Sequence, residues 1–156
     1  MYYIAYGSNI NPIQMANLCN NPVFVGTGLL HDYEMDFYAT SKEKQGYNVY
    51  ADVVKNPKSN TPVAVWKIEN KEDLGLLDKF EGFPYLYDKI KNCRVTLSNG
   101  EEIAGFLYQM HKNRGGISVP SNKYAYTILY GYRFFNMDDN YLFSRRGLNI
   151  KSSKMT

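Results

Sequence analysis

Cysteine and histidine are scarce in this chain, and their scarcity removes whole classes of chemistry. Two cysteines, Cys19 and Cys93, and two histidines, His31 and His111, are all that its 156 residues contain. A disulfide framework needs more cysteines, so free thiols are expected. A metal site built on three or more histidines is excluded, and a Ser/His/Asp triad would have to recruit one of the two present. No metal and no cofactor is expected. No apolar run approaches the roughly 20 residues of a membrane helix. The N-terminus enters strand-like sequence without a basic and then apolar leader, so the expectation is a cytoplasmic protein without a membrane partner. An excess of one charge is missing as well. The net charge is +3, with Lys and Arg dispersed, and nucleic acid is not expected as a partner. Lys42 to Lys44, Lys112 to Arg114 and Arg145-Arg146 read as solvated faces. No internal repeat, linker or low-complexity stretch interrupts the chain.

What the chain does have is aromatic mass: fifteen Tyr and eight Phe. Tyrosine can line a cavity whose walls are apolar but which carries hydroxyls at defined points. Hydrophobic residues at 44% and charged residues at 21% are ordinary globular values, and the length suits one domain. That domain is expected over 1–149, followed by a polar tail at 150–156.

Tyr2 to Tyr6 reads as a buried strand, and Asn11 as N-cap with Pro12 in the first helical position opens a helix to about Cys19. Val23 to Leu30 and Tyr33 to Tyr38 are extended segments. Tyr47 to Val54 and Pro62 to Ile68 are strands, with Asn56 to Asn60 as the turn between them. Asn70 and Asp73 start a helix on which Leu74, Leu77 and Phe80 recur, and which stops at Gly82 before Pro84. Ser98-Asn99-Gly100 between Tyr85 to Leu97 and Glu101 to Met110 is a hairpin signal. Pro120-Ser121 introduces a helix with Ala125, Ile128, Leu129, Tyr132 and Phe135 on one stripe. A shorter helix is expected from Asp138 or Asp139 to Arg146, ending at Gly147. Strands in the middle with helices at intervals and at the end make an α+β layout.

Two features carry chemistry. Tyr6-Gly7-Ser8-Asn9 joins the first strand to the helix start. Gly7 allows close backbone approach, and the N–H groups of Ser8, Asn9 and the following turn can converge on an anion. Residues of this type also make ordinary connections. Glu81 closes its helix in Phe80-Glu81-Gly82, followed by Phe83, Pro84, Tyr85 and Tyr87. A carboxylate at a helix C-terminus faces the negative end of the macrodipole, and aromatic neighbours desolvate it. Both effects raise its pKa toward the range a general base and acid needs. A Glu that ends a helix in solvent would have the same local sequence.

Together these motifs resemble the γ-glutamylcyclotransferase family. The resemblance rests on Tyr3-Ile4-Ala5-Tyr6-Gly7-Ser8-Asn9, on Leu77-Asp78-Lys79-Phe80-Glu81-Gly82 with Tyr87 after it, and on Pro120-Ser121 with Tyr124. Gly28 to Phe37 and Val65-Trp66 resemble further strands of that family, and the likeness spans residues 2 to about 148. It implies a small mixed β-barrel flanked by helices, with a cavity at one end. There the turn at Tyr6, Gly7, Ser8 and Asn9 would bind a glutamyl group and Glu81 would be the catalytic acid/base. Tyr6, Tyr87 and Tyr108 would line the pocket, with Tyr85 able to replace Tyr87. The implied reaction cyclises a γ-glutamyl amino acid or γ-glutamyl amine to 5-oxoproline, with no cofactor. The implied partner is a small-molecule γ-glutamyl substrate, and the protein would be a monomer or homodimer. His111 to Gly116 departs from the family pattern; it reads as a solvated loop or as a rim on which Lys112 or Arg114 favours an acidic leaving group. A non-catalytic member of the same fold, binding a small acidic metabolite or a protein, is the alternative. The presence of both the anion turn and Glu81 favours the enzyme.

Overall fold

In the computed structural model, which describes residues 1–41, 48–112 and 114–149, the N-terminal apolar run forms β1 (Tyr2–Ala5). β1 is covered on both sides, and Tyr3, Ile4 and Ala5 are buried. It lies between two neighbours, antiparallel to β3 (Val49–Lys67) and parallel to β5 (Glu102–Met110) at Tyr3↔Phe106. With β2 (Val23–Ala39) and β4 (Tyr87–Leu97) the strands close a mixed barrel in the order β1-β3-β2-β4-β5. The α+β barrel is the expected one.

β2 and β3 form a ribbon longer than the sequence pattern predicts, and it differs from that pattern in two places. Val23 to Leu30 and Tyr33 to Tyr38 are one strand, bent by register shifts at Phe24/Gly26 and His31/Tyr33. Asn56 to Asn60 is not a hairpin turn. His31 pairs with Asn60 and Tyr33 with Lys55, so residues 56–59 of β3 bulge opposite Asp32, whose φ is 67°. Asn56 Oδ1 accepts the Lys58 N–H at 3.3 Å, the local turn that Asn and Pro favour. The ladder resumes on both sides because Val53, Val63 and Val65 belong to the core, so the polar stretch is ejected as a bulge. Residues 42–47, 113 and 150–156, which include the Lys42 to Lys44 face, the predicted strand start at Tyr47 and the predicted tail, lie outside the described residues.

Local helix signals act as their chemistry dictates. In α1 (Pro12–Leu18), Asn11 Oδ1 accepts the N–H groups of Ile13 and Gln14. In α2 (Lys71–Glu81), Asn70 accepts from Asp73 N, and Gly82 ends the helix at φ 69°, a conformation glycine adopts without a Cβ penalty. α3 (Asn122–Phe134) begins on the Ser121 cap and buries Ala125, Ile128, Leu129 and Tyr132. The C-terminal helix differs from expectation: it is two short pieces, α4 (Asn140–Phe143) and α5 (Arg146–Asn149), with Gly147 inside the second. The break follows from Asp36, buried in β2, whose carboxylate accepts the Arg146 and Gly147 N–H groups at 3.0 and 2.9 Å and starts a new helix there. No helix among the described residues is long and apolar enough to cross a membrane.

Candidate active site

β1 runs into a single 3₁₀ turn, Ser8–Ile10, before α1 begins. Ile10 N donates to Gly7 O at 3.0 Å as the first bond of the turn, so the Ser8 and Asn9 N–H groups precede any acceptor within it. The turn is pinned from three directions. Trp66 Nε1 donates to Asn9 O at 2.9 Å, and Gln14 Nε2 donates to Ser8 Oγ at 2.7 Å and to Asn9 Oδ1 at 2.9 Å. From α3, Gly131 backs the turn so closely that a Cβ there would stand 2.7 Å from Ile10 Cγ2 and 2.8 Å from Asn11 N.

The turn opens onto a cavity of about 270 Å³ at one end of the barrel. Tyr6, Gly7, Ser8, Asn9, Glu81, Tyr87 and Tyr108 all line it, so the turn, the candidate acid/base and these three tyrosines meet in one place. Tyr85 does not: it is 87% exposed, whereas Tyr87, two residues on and inside β4, is buried. Tyr85 lies in the turn that follows Gly82, its N–H donating to Gly82 O at 2.7 Å, and β4 begins only at Tyr87, so the start of the strand decides between the two tyrosines. Six further linings come from separate elements: Tyr3, Gln14, Tyr50, Phe80, Leu86 and Tyr124, together with Ala51. Tyr124 is placed by the Ser121 cap, whose Oγ accepts its N–H at 3.1 Å. Tyr50 had no sequence signal, because only barrel closure turns that face of β3 toward the turn.

Glu81 is the last residue of α2 and presents its carboxylate at the cavity wall. Asn9 Nδ2 donates to Glu81 Oε1 at 3.4 Å and to the Tyr3 hydroxyl oxygen at 3.0 Å, and Tyr3 Oη donates to Glu81 Oε1 at 3.5 Å. The candidate base and the candidate anion turn are thus joined by one side chain, Asn9. Burial pushes the Glu81 carboxyl up to about 7, against the Tyr3 hydrogen bond, which lowers it. Part of Glu81 still opens to the cavity, but the protein packed around its carboxyl outweighs that opening. Its pKa therefore sits where a group can both take and give a proton near neutrality.

The tyrosine hydroxyls surrounding Glu81 are held by protein acceptors or donors. Tyr6 Oη donates to Tyr108 O, Tyr87 Oη to Ala51 O at 2.9 Å, and Ala51 N donates to Tyr124 Oη at 3.0 Å. Burial raises all three phenols well above their ordinary range, so each stays neutral. Tyr108 Oη donates to Asp78 Oδ1 at 2.6 Å, and Lys89 Nζ meets the same oxygen at 2.8 Å while facing the Phe83 ring at 4.8 Å. Such fixed rings and hydroxyls give the cavity its shape without a mobile side chain at its centre.

The sequence matches the model of the family described as Gamma-glutamyl cyclotransferase, AIG2-like, over residues 3–126. The chain belongs to this family. The matched residues contain all of the barrel but Tyr2, and with it Glu81, the Tyr6 to Asn9 turn and the start of α3, and leave α4 and α5 outside. Among solved structures the chain is similar to a gamma-glutamyl cyclotransferase, with 27% identity and a TM-score of 0.79, 90% of this chain covering 83% of that one. It is also similar to an uncharacterized protein from Homo sapiens, at 26% identity and a TM-score of 0.77 over 90% of this chain and 82% of that one. YkqA from Bacillus subtilis, 20% identical, shares the fold at a TM-score of 0.71, 99% of this chain covering 54% of that one. No curated protein matches the sequence.

Proposed function

We propose that this family member is an enzyme that cyclises the γ-glutamyl group of a γ-glutamyl amino acid or γ-glutamyl amine to 5-oxoproline, releasing the amine. The observation that carries this reading is the single cavity in which Glu81, titrating near neutrality, is hydrogen-bonded through Asn9 to the Gly7 to Asn9 turn. A pure binding protein gains nothing from a desolvated acid/base at that point.

In the proposed reaction the substrate's own α-amine attacks its γ-carbonyl. Glu81 as carboxylate takes a proton from the α-ammonium, freeing the lone pair that forms the ring C–N bond. Collapse of the tetrahedral intermediate breaks the bond from the γ-carbon to the leaving nitrogen, and Glu81 returns the proton to that nitrogen. Two protons leave the α-nitrogen and two arrive on the departing amine, which leaves as an ammonium. The Ser8 and Asn9 N–H groups would hold the substrate carboxylate or the developing oxyanion. The rigid tyrosine walls would fold the glutamyl chain into attack geometry, a contribution of roughly 7–11 kcal/mol in well-oriented intramolecular reactions. A cavity of about 270 Å³ lies near the small end of ligand sites, which suits a glutamyl group more than a whole peptide.

The test is 5-oxoproline release from a panel of γ-glutamyl amino acids and amines, with Glu81→Gln as comparison. The variant should lose at least about 10³-fold in kcat, within the range of a lost acid/base plus its positioning. Turnover surviving in Glu81→Gln would refute the assignment of the base.

A further inference from the structure

Next to the tyrosine-lined cavity, and sharing Leu86 with it as a common wall, lies an open groove of about 420 Å³. Pro84, Tyr85, Leu86, Met110, His111 and Arg114 border it. Arg114 is held there as few surface arginines are. Its Nε donates to Asp52 Oδ2 at 2.7 Å, the Asp52 side chain is 0% exposed, and the guanidinium lies 4.1 Å from the Tyr38 ring centroid. Asp52 is itself fixed through Oδ1, which accepts the Met110 N–H at 2.9 Å. One edge of the guanidinium is therefore anchored and its plane is set by stacking. Its two terminal nitrogens have no acceptor among the described residues.

We propose that this groove receives the leaving half of the substrate, and that the leaving half carries a carboxylate which pairs with the free edge of Arg114. The proposal rests on the cyclotransferase reading of the neighbouring cavity and specifies the substrate class of that same site. A guanidinium has five N–H donors in a rigid fork, so Asp52 can occupy Nε while the terminal pair accepts a second carboxylate side on. Because Asp52 and Tyr38 already hold the side chain, little rotamer freedom is lost on binding. The remaining walls suit the carbon skeleton of an amino acid. Leu86 and Met110 are apolar, and Tyr85, 87% exposed at the rim, has a ring face available to cover it. His111 closes the other side with both ring nitrogens already facing oxygens, Asp88 Oδ2 at 3.3 Å and Pro84 O at 2.6 Å. The basic side chain that faces an incoming carboxylate in this groove is therefore Arg114. The same arrangement gives a role to an ion pair whose Asp52 half is buried, where an apolar pair would pack equally well.

Matched substrates test this without any variant. γ-Glutamylglycine is compared with γ-glutamylmethylamine, and γ-glutamylalanine with γ-glutamylethylamine, each pair differing by one carboxylate, with 5-oxoproline release giving kcat/KM. The acid member should be favoured by roughly 10- to 100-fold, the worth of a charge-assisted contact. In Arg114→Lys, which keeps a cation for Asp52 but lacks the fork, the ratio should fall toward one; thermal unfolding confirms that the variant is folded. Should it not fold, the wild-type ratio decides. A wild-type ratio near one, with 5-oxoproline released from both members, overturns the groove assignment and leaves the cyclotransferase reading standing. A ratio unchanged in folded Arg114→Lys overturns Arg114 as the partner. No release from any pair overturns the cyclotransferase reading and this proposal with it.

Discussion

Glu81 should cost the protein stability at the pH where it would work. Its carboxyl rises from the ordinary 4.5 to about 7 on folding because burial disfavours the charged form. Below about pH 4.5 the carboxyl is protonated in both states and contributes nothing. Between 4.5 and about 7 the unfolded chain releases its proton while the folded chain keeps it. The folded state then binds more protons, so stability falls as pH rises, and above about 7 the loss is complete. At about 1.4 kcal/mol per pH unit the full gap corresponds to about 3 kcal/mol, and the part of Glu81 that opens to the cavity lowers this to about 1–3 kcal/mol. Glu81→Gln removes the charge but keeps an oxygen to accept from Tyr3 and Asn9. The variant should therefore be more stable than the wild type by about 1–3 kcal/mol at pH 8, with only about a quarter of that advantage present at pH 5. Urea unfolding of both proteins at the two pH values measures this. A difference that does not change between pH 5 and pH 8, or a variant less stable at pH 8, would refute desolvation as the cause of the raised pKa.

Cyclisation needs Glu81 ionised to accept the first proton, so the rate of 5-oxoproline release should fall on the acid side with a limb near pH 7. A limb near 4.5 would place the carboxyl in water. Gly131→Ala should destabilise by about 2–3 kcal/mol in thermal or urea unfolding, since its Cβ meets the backbone of the 3₁₀ turn at 2.8 Å and neither side can yield cheaply. Wild-type stability in that variant would mean the helix and turn are not in contact. Gly7→Ala places a Cβ 3.0 Å from Ala51 Cβ and 3.4 Å from Tyr124 Oη. It should raise KM by about tenfold with a smaller change in kcat, as expected when substrate placement shifts by a few tenths of an ångström; an unchanged KM would remove the turn from the binding site.

The elements legible in the sequence are those whose cause is local. Asn11, Asn70 and Ser121 cap their helices through side-chain oxygens two or three residues away, and Gly82 ends α2 in a left-handed conformation. Ser98-Asn99-Gly100 turns the β4–β5 hairpin for the same kind of reason. What failed was non-local. Asn56 to Ser59 has the composition of a hairpin turn, but pairing on both sides of it with β2 makes it a bulge. Gly147 has the composition of a helix stop, but Asp36, more than a hundred residues earlier, supplies the acceptors that start a helix across it.

The candidate site divides along the same line. Residue types fixed the chemistry in advance: a glycine-containing turn able to approach an anion, one glutamate at a helix end, and many tyrosines. Tertiary structure alone decided that these share a cavity, because β1 and α2 meet only when the barrel closes and Asn9 reaches Glu81 across 72 residues of sequence. It also chose Tyr87, the first residue of β4, over Tyr85 in the turn before it, added Tyr50 and Gln14 to the walls, and set the Arg114 guanidinium against a buried carboxylate beside the cavity. The division has one physical cause. A hydrogen bond to the next turn of chain depends on the residues in that turn, whereas desolvation and convergence depend on which distant surfaces the core brings together.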